Sequence, residues 1–314
     1  MPLFSVIIPL YNKENFIEAT LKSAMNQTFT DFEIIIINDG STDKSVEKVL
    51  QFTDDRIQLF TTENQGVSQA RNFGIKKASG EMIAFLDADD FWYSKHLANL
   101  VALYQLFPEC GLFCTNYERF YNAKKIVKPH FLGVPNAPWK GIVSDFFYSS
   151  YVDRVAWTSA VAVPRTVFDE IGYFDPKITL GAGEDTHLWI RIALNFPVAF
   201  DSEISAQHVL SAENRISLSN TLKRSFAKLD EFKSEENVNP SLKKYLDLYR
   251  VEFAMKHKLA GDLKTFEYYI ENVDPKNISF KTKILISFPV FVLKKLFSLK
   301  KYLERKNFHF SIYH

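Results

Sequence analysis

Across residues 1–115, short apolar runs alternate with stretches whose apolar positions recur at helical spacing. Phe4–Pro9 and Phe32–Ile37 predict strands; the second is almost wholly apolar and β-branched, as expected of a strand covered on both faces. Arg56–Phe60 and Met82–Leu86 predict two more. Between and after them the pattern predicts helices over Glu14–Met25, Asp43–Phe52, Gly66–Ala78 and Ser94–Phe107. Strand–helix alternation of this kind implies an α/β fold: a mostly parallel, Rossmann-like sheet flanked by helices, with right-handed crossovers. Residues 110–208 are mixed. Cys110–Tyr117 and Ala156–Val163 predict strands, Gly141–Ser150 and Asp185–Asn195 helices, and the aromatic- and proline-rich Phe120–Trp139 predicts loops over a site. From Leu218 to Asn272 the pattern is helical, broken at Asn239-Pro240 and at Ala260-Gly261. The expected organisation is an α/β domain over 1–217, a helical extension over 218–280 and a basic, apolar tail over 281–314.

Composition (46% hydrophobic, 24% charged) is that of a globular chain able to bury a sizeable core. The net charge of +1 conceals an asymmetry. Residues 281–314 hold eight Lys or Arg against one acid, Glu304, a net of +7 that leaves −6 on the first 280 residues. A nucleic-acid binder would spread basic residues over its fold, so that class is excluded. The pattern suits instead a body whose tail touches an anionic membrane surface, the alternative being a last helix packed on the domain with solvated lysines. Within the tail, apolar Ile284–Leu293 is flanked by Lys294, Lys295, Lys300, Lys301, Arg305 and Lys306, and is too short to span a bilayer. Met1-Pro-Leu-Phe4 carries no basic leader, and Cys110 and Cys114 read as reduced core thiols, so a cytoplasmic location is expected.

In an open parallel sheet, ligands bind beyond the carboxyl ends of the strands. Three of the four early strands end in polar clusters there: Pro9-Leu-Tyr-Asn12, Asn38-Asp-Gly-Ser-Thr-Asp43 and Asp87-Ala-Asp-Asp90. Crowding Asp87, Asp89 and Asp90 costs electrostatic energy unless a cation is near, and oxygen-only ligands imply Mn²⁺ or Mg²⁺; a helix cap with solvated acids is the plainer alternative. No glycine-rich phosphate loop occurs, so metal and basic side chains must hold any phosphates, and Arg71 is the candidate cation. Asp39 closes a strand, either as an acceptor for a base or ribose or as part of an Asp-Gly turn. Glu184 and Asp185 open a helix, where they either complement its dipole or supply a general base. His208 ends a short apolar-polar segment and is read as structural unless it ligates the metal.

Together, Ser5-Val-Ile-Ile-Pro-Leu-Tyr-Asn12, Asn38-Asp-Gly-Ser-Thr-Asp43, Asn64-Gln-Gly66, Ala70-Arg-Asn-Phe-Gly74, Phe85-Leu-Asp-Ala-Asp-Asp90, Ile171-Gly-Tyr-Phe-Asp175 and Gly183-Glu-Asp185 occur in order. The set resembles the family 2 inverting glycosyltransferases of GT-A fold, of the type that builds bacterial cell-surface polysaccharides, over about residues 4 to 217. The resemblance implies that Pro9, Tyr11 and Glu14 line the nucleotide pocket, that Asp39 reads the base (usually uracil), and that Arg71 belongs to the donor-binding helix. It implies that Asp87, Ala88 and Asp89 form an Asp-x-Asp element in which Asp89 binds the metal directly and Asp87 lies nearer ribose or metal. Asp185 would be the general base, with Glu184 beside it. The aromatic-Arg-x-His segment frequent in that family is replaced by Gln207-His208 and Asn214-Arg-Ile-Ser217, which leaves the metal role of His208 open. The implied reaction moves sugar from a nucleotide-diphosphate donor to a hydroxyl of a glycan or lipid-linked glycan. The rivals are a nucleotidyltransferase making sugar nucleotides, which would need a glycine-rich basic loop in place of Leu10–Glu14, and a non-catalytic nucleotide- or glycan-binding module.

Overall fold

A computed structural model of the 314-residue chain describes residues 1–212 and 219–305, with side chains through residue 299. The sequence expectations on Asn214–Ser217 and on the side chains of Lys300, Lys301, Arg305 and Lys306 lie outside that range. The chain forms two compact units, Met1–Ser219 with Ser225–Ala227, and Asn220–Arg224 with Lys228–His314.

The first half of unit one runs β1 (Phe4–Leu10), α1 (Ile17–Met25), β2 (Phe32–Asp39), α2 (Ser45–Val49), β3 (Ile57–Thr62), α3 (Val67–Lys77), β4 (Met82–Phe85), β5 (Phe91–Trp92) and α4 (His96–Leu106). It continues through β6 (Leu112–Asn122), β7 (Lys125–Val127), β8 (Lys140–Ile142), α5 (Phe146–Ser149), β9 (Val161–Pro164), α6 (Arg165–Ile171), α7 (Glu184–Asn195) and β10 (Val198–Val209). The sheet order is β3-β2-β1-β4-β9-β6-β10-β5, with β7 on β6 and β8 on β10. The first four strands pair in parallel, Phe4 opposite both Phe32 and Met82. Every residue of β2 is buried, which explains its unbroken apolar run. Helix α3 lies so close on β1 that a Cβ at Gly74 would stand 2.5 Å from Ile7 Cγ2. Glycine there is a packing requirement.

The expectation of a mostly parallel sheet flanked by helices with a helical C-terminal region holds, but the second half departs from it in detail. Strand β9 runs antiparallel between β4 and β6, and β5 and β8 are antiparallel to β10. The predicted strand Ala156–Val163 begins instead as a 3-10 turn at Thr158–Ala160, because the Thr158 and Ser159 hydroxyls bond to Asp185 and Asp90 rather than lying along a ladder. The predicted helix Gly141–Ser150 is the edge strand β8 followed by the single turn α5; Ala199 pairs with Ile142, a long-range contact that local periodicity does not carry.

Unit two is helical: α8 (Lys233–Val238), α9 (Pro240–Ala260), α10 (Leu263–Glu271), α11 (Phe280–Ser287) and α12 (Val290–Arg305). Asn239 caps α9 through Leu242 N–H with Pro240 behind it, and left-handed Gly261 ends it, so both predicted breaks fall at helix ends. Arg250 is buried, paired with Glu236 at 2.7 Å and Asp247 at 2.9 Å. Its apolar core joins Val251, Met255, Val273 and Leu293.

Candidate active site

The site forms where β1, β2 and β4 end on the same edge of the sheet. Two of the end loops are laced together by side chains. Asn12 sits at φ 50°, its N–H donates to Ser41 Oγ and its Oδ1 accepts from Thr42 N–H. Lys13 N–H donates to Ser45 Oγ, Glu14 N–H to Asp43 Oδ2, and Glu14 Oε2 accepts from Lys44 N–H at 3.0 Å. Glu14 therefore holds the β2 loop in place, while Tyr11 beside it is exposed. Gly40 adopts φ 73°, and a Cβ there would stand 3.0 Å from Asn64 N. That close approach lets Asp39 reach the chain entering α3: its Oδ1 accepts from Gln65 N–H at 2.8 Å and its Oδ2 from Gly66 N–H at 2.9 Å. Burial nevertheless outweighs those two bonds and raises the Asp39 carboxyl above its ordinary pKa. Each oxygen keeps a second lone pair for a ligand.

From α3, Arg71 crosses to the other acids. Its guanidinium is buried and donates to Asp87 Oδ1 at 2.7 Å and to Glu184 Oε1 at 3.2 Å, joining β4, α3 and α7. Burial alone would weaken its hold on the proton, but Asp87 and Glu184 outweigh that and raise its pKa. Asp89 faces Lys13, whose Nζ stands 2.7 Å from Oδ2. Ala88 is buried, and its carbonyl accepts from Thr20 Oγ1 on α1. Asp90 points inward to Ser159 Oγ at 2.6 Å and Val209 N–H at 3.0 Å. Burial and the neighbouring Asp89 and Asp87 push its pKa well up. Of the three acids, then, Asp90 serves the scaffold, while Asp87 and Asp89 face cations.

Gly183, left-handed at φ 97°, caps α7 and sets Glu184 and Asp185 in its first turn. Their environments differ. Burial first, then the adjacent Asp185, raise the Glu184 pKa against the pull of Arg71. Asp185 is pushed up by burial, but Arg154 and Arg71, with hydrogen bonds from Thr186 N–H and Thr158 Oγ1, win and hold it below the usual carboxylate range. Arg154 stands 3.7 Å from Asp185 Oδ2. Burial and the two arginines thus drive the adjacent carboxyls in opposite directions.

His208 stacks on Trp157, with ring centroids 4.8 Å apart. No group of three His, Cys, Asp or Glu side chains arranged to hold a metal occurs among the described residues, so Asp87, Asp89 and His208 do not converge as a closed ligand set. A divalent ion would still fit at Asp89. Asp89 and Asp87, two residues apart, offer the carboxylate oxygens that Mn²⁺ or Mg²⁺ takes, and an ion held there would replace Lys13 as the partner of Asp89. Sequence reasoning did not single out Lys13, Arg154, Thr158 or Ser159. Lone residues in irregular segments carry no periodic or motif signal, and only their contacts with Asp89, Asp185 and Asp90 reveal them.

The sequence model of glycosyl transferase family 2 matches residues 5–172, more than half of the chain. The chain belongs to glycosyl transferase family 2. An uncharacterized glycosyltransferase of Rickettsia bellii is 36% identical to it over 197 residues, 60% of this chain and 26% of that protein. An Escherichia coli UDP-Glc:alpha-D-GlcNAc-diphosphoundecaprenol beta-1,3-glucosyltransferase is 40% identical over 121 residues, 38% of this chain and 47% of that protein. The chain thus spans about a quarter to a half of these relatives' length. Staphylococcus aureus TarS, solved with UDP-GlcNAc, superposes with a TM-score of 0.56 at 18% identity, covering 84% of this chain and 72% of that one. This family 2 member therefore has the GT-A fold, and its acids occupy the strand ends where such a sheet binds ligands.

Proposed function

We propose that this protein is a metal-dependent inverting glycosyltransferase using a nucleotide-diphosphate donor, a UDP-sugar, and the hydroxyl of a glycan or lipid-linked glycan as acceptor. The observation that carries the reading is the Arg71 bridge between Asp87 and Glu184, which sets the Asp-x-Asp element beside Asp185. The UDP-GlcNAc seen in TarS and the lipid-diphosphate acceptor in the E. coli enzyme's name support the choice of donor and acceptor. The two buried, unbridged cysteines accord with reaction on the cytoplasmic side.

In the proposed reaction Asp185, held ionised by Arg154 and Arg71, takes the proton of the acceptor hydroxyl. That oxygen forms a bond to the anomeric carbon from the face opposite the leaving group, the bond from the anomeric carbon to the phosphate oxygen breaks, and the configuration inverts. Mn²⁺ or Mg²⁺ on Asp89, with Asp87 near, would neutralise charge on the departing diphosphate. Lys13, the ion-pair partner of Asp89, would add positive charge beside the diphosphate, while Arg71 holds Asp87 in place. Asp39 and the laced loops around Tyr11 and Glu14 form the pocket floor for the nucleoside beyond Pro9. A nucleotidyltransferase is disfavoured, because Lys13 is the single basic residue in the loop after β1 and no glycine accompanies it.

A panel of nucleotide sugars assayed for Mn²⁺-dependent hydrolysis tests the class and identifies the donor. Hydrolysis of none of them, with or without Mn²⁺, would favour the binding-module reading. Asp89→Ala should weaken Mn²⁺-dependent UDP binding by more than the ~10–100-fold that losing an outer partner of a metal ligand costs. Calorimetry with and without Mn²⁺ measures this, and unchanged Mn²⁺-dependent affinity removes the metal assignment.

A further inference from the structure

Helices α11 and α12 each have two unlike faces. One face is built into unit two: Leu293 is fully buried in its core. The other presents Phe280 at 76%, Phe291 at 65% and Leu299 at 53% exposure. Lys281, Lys283, Lys294 and Lys295 are exposed among them, and the sequence from Phe280 to Leu299 holds no acid. Large rings standing in water among four exposed lysines make a surface that is both apolar and cationic. An anionic bilayer satisfies both properties, through lysines at the headgroups and rings at the acyl boundary. A second copy of this chain would bring the same four lysines against each other, which like-charge repulsion opposes.

We propose that the exposed face of α11 and α12 docks on an anionic lipid bilayer. No helix among the described residues is long and apolar enough to cross a membrane. The proposal deepens the functional reading above by naming the surface on which a lipid-linked acceptor would be met.

Because Leu293 belongs to the core, truncating the tail would cut into the packing of unit two; point variants of exposed residues are the proper test. The full chain should co-sediment with phosphatidylcholine vesicles containing phosphatidylglycerol, weakly with phosphatidylcholine alone, and less as salt rises. Replacing the four lysines (K281Q, K283Q, K294Q, K295Q) should lower partitioning roughly fivefold per lysine and several-hundred-fold together. Replacing both rings (F280S, F291S) should lower it at all salt concentrations. Equal binding to neutral vesicles, binding unchanged in the lysine variant, or self-association lost in the variants without any lipid binding would each overturn the proposal. Lipid-free nucleotide-sugar hydrolysis, measured on the same samples, should be unchanged in these variants. Its absence from the parent chain would count against the glycosyltransferase reading and leave the lipid result standing.

Discussion

Asp185→Asn should reduce kcat by ~10²–10⁴-fold, the usual worth of a positioned general base, while UDP binding stays within a few-fold of the parent. The amide keeps the size and the bond from Thr158 but has no free basic oxygen to accept a proton. Parental turnover in this variant would withdraw Asp185 from the mechanism. The electrostatics also fix the sign of a pH effect. Arg154 and Arg71 depress the Asp185 pKa, so the base stays ionised until pH falls below the ordinary carboxylate range, and activity is lost as pH drops through that depressed value. Arg154→Gln removes one of the two cations and should shift the acid limb of the kcat profile to higher pH. An acid limb that stays in place would mean that another group sets it.

Arg71→Met should carry the largest stability loss. The guanidinium is buried between Asp87 and Glu184, and methionine of similar length would take that counter-ion from both. Breaking a buried pair from one side typically costs ~3–5 kcal/mol. Glu184 is already driven toward its protonated form by burial, so without Arg71 it would retain its proton to still higher pH. Chemical denaturation near neutral pH should show the loss, and the double replacement Arg71→Met with Glu184→Gln should recover part of it. A parental unfolding midpoint in the single variant would show that the bridge adds nothing to stability.

The strands that build the parallel half were legible because both faces of β1 and β2 are covered, which leaves an unbroken apolar signature. Helix α7 was legible from Glu184 and Asp185 leading an apolar run. The edges of the sheet were not. Lys140–Ile142 is a strand only because Asp201 and its neighbours on β10 supply its partners, and Thr158–Ala160 leaves the extended form only because Asp90 and Asp185 claim its hydroxyls.

Sequence alone determined the order of elements around the site and the residue types at each strand end. Burial periodicity and turn chemistry are local properties, and they survive in one dimension. Tertiary structure decided which charge meets which. It gave Arg71 to Asp87 and Glu184, Lys13 to Asp89, and Arg154 to Asp185, and it turned Asp90 inward to Ser159. Carboxylates spaced one or two residues apart look alike along a chain. Their protonation and their roles depend on cations and hydroxyls brought from tens of residues away, and only the folded packing specifies those.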